Sequence, residues 1–241
     1  LAGFSQQNGD KRQIDLGEIK GNISVAYQQY QEDSTINAAV PDEKSTLTAF
    51  TNLIYTRGNI SAGVRYESYL PAQLGYPDRF EGTGLGYRFA SYTTDPISVT
   101  VGNFYEQFGS GLVFRTYEER LLGIDNAMNG MRIKSHPLPG IYIKGIYGKQ
   151  RFQFTDGLVN GSGLVRGFDG ELVVNELLDS LSGRSIDSLP YRKLNMIIGG
   201  SFVSKYQSDN STTLILPENV GTYAGRMRLN YGKVSFSGEY A

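Results

Sequence analysis

The feature that most constrains the fold is an alternation of apolar and polar residues that several segments sustain over about ten residues. In the first such segment, Ile19, Ile23 and Val25 alternate with polar residues such as Asn22 and Ser24. Because successive side chains of a strand point to opposite faces, this period of two predicts two-faced β-strands. Strands of soluble proteins commonly have about 5 or 6 residues, whereas a strand that crosses a bilayer needs about 9 to 11. The segment length therefore favours membrane-spanning strands.

Residues 97 to 137 show the same alternation, interrupted by a long charged insert. Ile97, Val99 and Val101 share one predicted face, and the pattern resumes with Met131 and Ile133. The insert starts near a Gly-Ser-Gly run at 109 to 111 and carries charges of both signs. Its length excludes a tight hairpin turn, and long connections of this kind are usually functional. We predict that the insert lies inside, or across the mouth of, a closed β-barrel.

The predicted connections alternate between long and short. Long ones cover about 31 to 44, 70 to 81 and 107 to 128, and short ones cover 57 to 58, 94 to 96 and 137 to 140. This rhythm is typical of outer-membrane barrels, which have long loops on one side and short turns on the other. About ten strands are predicted. Residues 155 to 192 are predicted to be the longest connection, with a short amphipathic helix within 170 to 181.

Composition favours a mostly-β chain and excludes several functions. The 241 residues include 30 glycines, 17 tyrosines and 12 phenylalanines, which favour strands and turns. Cysteine is absent and there is one histidine, so thiolate chemistry is excluded and a transition-metal site is not expected. The net charge of -1 provides no global field for nucleic acid. We predict no cofactor, no metal and no nucleic-acid partner, and a single domain over residues 1 to 241.

These patterns predict an all-β fold, an antiparallel up-and-down transmembrane β-barrel with a long charged inward or capping segment. Alternation continues to Tyr240, so we expect the 241 residues to be the N-terminal part of a larger barrel. A signal peptide is expected to have been removed before Leu1. The predicted location is the outer membrane of a Gram-negative bacterium, with membrane lipid and other envelope proteins as partners.

Three runs of sequence carry a resemblance to a known family. They are GNFYEQFGSGLVFRTYEER, GIDNAMNGMRIK and GIYIKGIYGKQR. Over residues 57 to 155 the chain resembles an outer-membrane β-barrel family of uncharacterised function from Bacteroidota, with a looser likeness to alginate-export-type porins. The resemblance implies a longer barrel in the outer membrane, and it implies no established activity.

Charged side chains on predicted polar faces, or in the insert, are the candidate lumen or constriction residues. They are Arg65, Glu67, Arg88, Glu106, Arg115, Glu118, Glu119, Arg120, Asp125, Arg132, Arg226 and Arg228. The charged cluster in the insert could contact a solute or form self-neutralising ion pairs, and the second alternative is favoured because buried opposite charges usually satisfy one another. Glu118 and Glu119 are adjacent and diverge, so they are a poor acid/base pair, and no catalytic residue is predicted.

Glycines on one predicted strand form a stripe with a strict period of two. Gly82, Gly84, Gly86 and Arg88 are predicted to share one face, opposite Leu85, Tyr87 and Phe89. The spacing differs from that of a dinucleotide-binding loop, and it predicts a bare face that another backbone or a plug approaches closely. The Gly-Ser-Gly runs at 109 to 111 and 161 to 163 lack the context of a nucleophile elbow and are interpreted as structural.

Three functions remain open at this point. The first is a non-enzymatic outer-membrane barrel that acts as a plugged channel or as a structural subunit of a secretion, transport or barrel-assembly complex. The second is an open diffusion porin for small anionic or sugar-like solutes, lined by arginines at 65, 88, 132, 226 and 228. The third is a soluble β-sandwich whose tyrosine-rich loops bind a glycan.

Overall fold

The structure, a computed structural model, describes residues 15 to 77, 79 to 183, 194 to 208 and 216 to 241. These residues form strands β1 to β13 and one α-helix, α1. In chain order the elements are β1 (Glu18–Gln29), β2 (Ser45–Arg57), β3 (Ile60–Tyr69), β4 (Phe80–Thr93), β5 (Ile97–Phe104), β6 (Glu118–Glu119), β7 (Ile124–Asp125), β8 (Met128–Leu138), β9 (Ile141–Thr155), β10 (Leu158–Val173), α1 (Val174–Leu181), β11 (Leu194–Tyr206), β12 (Asn219–Tyr231) and β13 (Val234–Tyr240).

Eleven of the strands form one antiparallel sheet. Its order is β1-β2-β3-β4-β5-β8-β9-β10-β11-β12-β13, while β6 and β7 pair with each other in a small second sheet. Neighbours in the sheet order are thus neighbours along the chain, apart from the insert between β5 and β8. The predicted all-β, up-and-down architecture is confirmed, with eleven strands where about ten were predicted. A single continuous sheet does not match the β-sandwich alternative, whose core lies between two packed sheets.

The sheet curves around residues 105 to 127, which we call the inner segment. Arg120 of this segment lies 4.3 Å from the ring centroid of Phe50 on β2, and the Ser110 amide donates to Glu239 on β13 at 2.8 Å. In a flat sheet, β2 and β13 would be about 43 Å apart at about 4.8 Å per strand, yet the ten residues that separate Ser110 from Arg120 are folded into a hairpin and a turn and are far from extended. The sheet must therefore curve, with the inner segment on its concave face.

A second observation supports this curvature. β4 and β9, which are separated in the sheet order by β5 and β8, also pair directly in parallel, with Phe80 opposite Phe154 and Glu81 opposite Thr155. The start of β4 therefore meets the end of β9 directly, although β5 and β8 lie between these two strands in the sheet order.

The prediction of a loop from 155 to 192 was wrong for residues 158 to 173, which form β10. This strand of 16 residues pairs with β9 and β11. Glycines at positions 161, 163, 167 and 170 interrupt its apolar alternation, and this is why the pattern hid the strand. The helix predicted within 170 to 181 is confirmed as α1, whereas residues 184 to 193 of the predicted connection lie outside the described residues. No helix in the described ranges has the length and apolar composition needed to cross a membrane.

The two faces of the sheet differ in their chemistry. Buried charged residues, including Arg65, Glu67, Arg151 and Asp169, lie on the concave face. The convex face exposes large apolar side chains along the whole strand order, among them Ile19, Ile23, Val25, Leu53, Val64, Tyr66, Leu85, Val101, Met131, Tyr147, Phe168, Ile198, Phe202, Tyr223, Met227 and Phe236. In a soluble monomer, large apolar side chains in this number are usually covered.

Candidate functional site

The inner segment folds into two short hairpins. In the first, Gln107 bridges to Arg115 and the Phe108 amide donates to the Phe114 carbonyl at 3.1 Å. Gly109 and Gly111 adopt φ values of 53° and 96°, which glycine tolerates best and which turn the chain back. The second hairpin is formed by β6 and β7, joined by a 3-10 turn at Arg120–Leu122. The predicted insert is therefore an ordered structure.

The first hairpin is anchored by apolar contacts. Phe108 and Phe114 pack with their ring centroids 5.1 Å apart. They join a buried cluster with Phe104, Met128, Ile146, Val165 and Val203, which belong to β5, β8, β9, β10 and β11. Burying an aromatic side chain of this size is worth on the order of 1.5 to 3 kcal/mol. These rings hold the hairpin against the middle of the sheet.

The second hairpin is anchored by buried ion pairs. Glu67 accepts from Arg65 Nε at 2.6 Å and from Arg151 Nη2 at 2.7 Å, and the side chains of Glu67 and Arg151 are fully buried. Asp125 of the inner segment binds both arginines, at 2.7 Å from Arg151 Nη1 and by a short contact to Arg65. Glu118 lies 3.0 Å from Arg65 Nη1. Two arginines thus face three carboxylates, and the formal charges of these five side chains sum to only -1.

Two tyrosines complete this network. Tyr69 donates its hydroxyl proton to Glu67 Oε2 at 2.9 Å, and Tyr105 donates to Asp125 Oδ1 at 2.9 Å. Burial, together with the Asp125 carboxylate, raises the pKa of the Tyr105 hydroxyl, which therefore stays neutral. The carboxylates of Glu67 and Asp125 thus each accept several hydrogen bonds, and this favours a structural role over acid/base chemistry.

A second ionic cluster surrounds Glu106 at the base of the inner segment. Its carboxylate lies 2.7 Å from Lys134 Nζ, 3.2 Å from Lys144 Nζ and 3.6 Å from Arg132 Nη1. Burial alone would raise the pKa of Glu106, but the hydrogen bond from Lys134 and the charge of Lys144 outweigh it and hold the pKa below its ordinary value of 4.5. The ionised carboxylate therefore stabilises the attachment of the first hairpin to β8 and β9.

The lowered pKa of Glu106 predicts a dependence on pH. The stabilisation is complete above the ordinary pKa of 4.5 and is lost as the pH falls through the lowered value. We expect hydrogen-exchange protection of residues 105 to 116, corrected for intrinsic rates, to be unchanged between pH 7 and 5 and to drop near pH 3. In Glu106→Gln, protection should be weaker at pH 7 and should fall less on acidification. Equal pH dependence in the two proteins would refute this role.

A third cluster joins β10, β11 and β12. Arg226 makes a bidentate contact with Asp169, at 2.7 and 3.2 Å, and lies 3.2 Å from Glu171. Ser201 donates to Asp169 Oδ1 at 2.7 Å. Nearby, the tip of the inner segment is held by Glu239, which accepts from the Ser110 amide. The inner segment is thus held at both its base and its tip.

The face predicted for Arg88 was wrong. A β-bulge places Arg65 opposite Tyr87 and the next residue, Tyr66, opposite Leu85, so that Gly86 is an extra residue. Beyond the bulge the alternation is reversed, and Arg88 lies on the convex face beside its register partner Val64. There it lines an apolar groove with Leu53 and Val101. Arg88 therefore does not join the charged groups of the concave face.

The remaining candidates lie around the inner segment. Arg120 Nε bonds Glu118 at 2.8 Å, and Arg115 lies over the ring of Tyr117 at 4.5 Å. Glu119 is exposed on β6. Arg228 lines a cavity of about 470 Å³ with Ser110 and Glu239 at the tip of the inner segment. These contacts match the alternative in which the charged residues of the insert form ion pairs with one another and with the sheet. Contact between these residues and a passing solute stays a prediction.

The turn between β9 and β10 packs against the glycine stripe of β4. A methyl group on Gly82 would lie 2.0 Å from Asp156 Oδ1, and one on Gly84 would lie 2.5 Å from the Asp156 carbonyl oxygen. A methyl group on Gly86 would lie 2.1 Å from the Glu67 carboxylate. The prediction that another backbone approaches this bare face is confirmed.

Several residues of the site were missed from the sequence. Arg151 has the largest role among them, and Lys134, Lys144, Asp169 and Glu171 also pair with predicted candidates. Arg151 follows an irregular part of β9, where apolar and polar residues do not alternate cleanly. Asp169 was assigned to a loop because β10 was not recognised. The surplus of carboxylates over basic residues in the predicted insert was the one signal that further cations were needed.

The fold and the site define the class of protein: a curved antiparallel β-sheet with an apolar convex face, whose concave face holds a segment of its own chain through buried ion pairs. The chain belongs to DUF6029, a family of unknown function whose model matches residues 1 to 241. No curated protein is similar enough to match the chain.

Proposed function

We propose that this chain is part of an outer-membrane β-barrel of a Gram-negative bacterium, without enzymatic activity, whose inner segment plugs the lumen. The barrel would serve as a plugged channel or as a structural subunit of a larger envelope complex. The observation that carries this proposal is the distribution of side chains over the curved sheet. Apolar groups cover the convex face, and charged groups are buried beneath the inner segment on the concave face.

The convex face has the composition that lipid requires. An exposed apolar patch on a soluble monomer rarely exceeds a few hundred Å², whereas here apolar side chains are exposed along strands from β1 to β13. Of the eleven strands in the main sheet, nine have 10 to 16 residues, and about 9 to 11 are enough to cross a bilayer at a tilt. The resemblance of residues 57 to 155 to Bacteroidota outer-membrane barrels also supports this location.

The inner segment favours a plugged barrel over an open diffusion porin. It touches strands from β2 to β13 and is held by apolar, ionic and backbone contacts. Arg65, Arg132 and Arg226, which a porin would present to the solute, are instead paired with carboxylates. An open path along these arginines would require the pairs to separate.

Membrane insertion is tested by fractionation and gel migration. The full-length protein is expected in the outer-membrane fraction and to need detergent for extraction. The extracted protein should migrate differently on a gel before and after boiling, as closed barrels do when they unfold. Recovery in the soluble fraction without detergent would refute the membrane proposal.

Removal of the inner segment is expected to raise conductance. Phe104 and Met128 are register partners on adjacent strands, so a short Gly-Ser turn can replace residues 106 to 126 and leave β5 paired with β8. In planar bilayers the native protein should show small or rare openings, and the variant should show openings several-fold larger. Large, steady openings of the native protein would contradict the plug and favour the open porin.

A further inference from the structure

An apolar groove of about 560 Å³ crosses β2 to β5 on the convex face. Register partners arrange its convex side chains in two rows. The first row is Leu53, Val64 and Arg88, and the second row is Tyr55, Ala62, Ala90 and Val101. Two alanines give the second row a low floor, and the groove has the volume of a ligand site, about 300 to 1,000 Å³. Arg88 carries the charge of a lining that is otherwise uncharged.

The β-bulge at Gly86 turns Arg88 toward this groove. Without the extra residue, the period of two would place Arg88 on the concave face, as the sequence predicted. Bulges that re-aim a side chain are common beside functional sites. The backbone amide of Arg88 donates to Asn103 Oδ1 at 2.9 Å, whereas its guanidinium has no hydrogen-bond or ion-pair partner among the residues that the structure describes. The groove therefore holds a cation without an anion.

The groove has a direction relative to the ends of the strands. β3 runs from the short β2–β3 turn toward the long β3–β4 connection, so the row of Arg88 lies nearer the long connections than the alanine row. The next convex residue on that side is Tyr66, which is 48% exposed. Tyr27 and Tyr223 are also exposed near the long-connection ends of β1 and β12. In a membrane, exposed tyrosines lie at the headgroup level.

The guanidinium of Arg88 is therefore within reach of lipid headgroups. Two residues, from the row of Arg88 to that of Tyr66, span about 7 Å along a strand. Long basic side chains extend over such distances to place the charge at the headgroup level while the stem contacts apolar groups. The alanine row lies on the opposite side, toward the hydrocarbon. A cation at one end and an apolar floor at the other match the charged head and the acyl chain of a lipid.

We propose that this groove binds a membrane lipid with an anionic phosphate head, whose phosphate contacts Arg88 and whose acyl chain lies over Ala62 and Ala90. Arginine binds phosphate through charge-assisted and often bidentate hydrogen bonds, and basic pockets on membrane proteins bind anionic headgroups. A second copy of this chain fits less well, because a two-fold contact through the groove would place Arg88 against Arg88. This inference rests on the proposed function, since it requires the convex face to lie in a bilayer.

The test uses tryptophan fluorescence, because the chain contains no tryptophan. Leu53→Trp places one fluorophore in the row of Arg88. The protein is reconstituted in phosphatidylcholine vesicles with a minor fraction of phosphatidylglycerol, and the acyl chains of either one lipid or the other carry the bromine quencher. We expect phosphatidylglycerol to be enriched about fivefold beside this tryptophan over its share of the bilayer, or ~1 kcal/mol. Quenching by the two lipids in proportion to their amounts would overturn the lipid site.

A second tryptophan position separates this inference from the membrane proposal. Ile198 on β11 is 43% exposed on the convex face and lies outside the groove. Ile198→Trp should be quenched by both lipids in proportion to their amounts. If neither position is quenched by either lipid, the convex face is outside the bilayer and both proposals fail. If both positions are quenched without enrichment, the membrane proposal holds and the lipid site alone is refuted.

Four further variants, each made in the Leu53→Trp protein, assign the binding to the groove. Arg88→Gln should abolish the enrichment, and Arg88→Lys should retain most of it because the charge is kept. Ala62→Leu should reduce the enrichment by filling the floor while Arg88 remains. Arg166→Gln is the matched control, since Arg166 also lies on the convex face, in register with Tyr147, but outside the groove. Its loss should leave the enrichment unchanged.

The boiled and unboiled gel pattern of each variant reports whether it is folded. Arg88→Gln changes an exposed side chain, so it tests the site even if Ala62→Leu perturbs the fold. Native enrichment in Arg88→Gln would refute the contact with the phosphate, and native enrichment in Ala62→Leu would refute the placement of the acyl chain. Equal losses in Arg88→Gln and Arg166→Gln would mean that overall charge attracts the lipid and would also overturn the proposal.

Discussion

Glu67→Gln is expected to lower the free energy of unfolding by about 3 to 5 kcal/mol, the usual cost of removing one partner of a buried ion pair. The Glu67 side chain is fully buried and accepts from Arg65, Arg151 and Tyr69. Glutamine keeps the shape but removes the charge and places an amide donor against these donors. Two buried guanidinium groups would then share only the carboxylates of the inner segment.

Urea unfolding, followed by the change in gel migration, measures this effect. The matched control is Glu18→Gln, which removes the partner of Lys20 in a pair whose side chains are 60% and 74% exposed. Exposed pairs of this kind contribute at most about 1 kcal/mol. A difference of less than about 1 kcal/mol between the two variants would show that the buried network does not stabilise the fold. Hydrogen exchange should also show the second hairpin of the inner segment loosened in Glu67→Gln alone.

Gly84→Ala is expected to destabilise the fold by about 1 to 3 kcal/mol through overpacking. The added methyl group would lie 2.5 Å from the carbonyl oxygen and 2.8 Å from the carbonyl carbon of Asp156. Both are backbone atoms, so a rotamer change cannot relieve the contact. The β9–β10 turn must move away from β4, which weakens the contact by which the sheet closes over the inner segment.

Gly145→Ala is the matched control for this effect. Gly145 also lies within a strand, but a methyl group there would meet nothing within 4 Å. Neither Gly84 nor Gly145 has a positive φ, so the two substitutions differ only in the space available. Gly145→Ala should change stability by less than about 0.5 kcal/mol, or raise it slightly. Equal unfolding midpoints for the two variants would show that the turn does not press on the glycine stripe.

The two substitutions probe the two means by which the sheet is curved. Glu67 links β3 to β9 through Arg151, across residues 84 positions apart. Gly84 allows the turn that follows β9 to reach β4. Both contacts lie near the direct pairing of β4 with β9. The strain introduced by Gly84→Ala and the charge removed by Glu67→Gln should therefore both loosen the packing of the sheet around the inner segment.

Local alternation was enough to predict most strands and their faces. A period of two depends only on neighbouring residues, and in β1, β5 and β8 it correctly predicted which side chains share a face. It failed where the backbone departs from a regular ladder. The bulge at Gly86 reversed the face of Arg88, and the glycines of β10 concealed a whole strand. Glycines were the only sign of both departures, and a glycine alone does not distinguish a bulge from a turn.

The amino-acid order alone therefore established a mostly-β chain with two-faced strands, no thiol chemistry, and a charged insert between β5 and β8. The partners of those charges were decided only by the tertiary structure. Arg151 pairs with Glu67 and Asp125 because the sheet curves until β3, β9 and the inner segment meet. Alternation is a local property of the chain, whereas curvature depends on bulges, turns and packing across many strands, so no short window of sequence contains it.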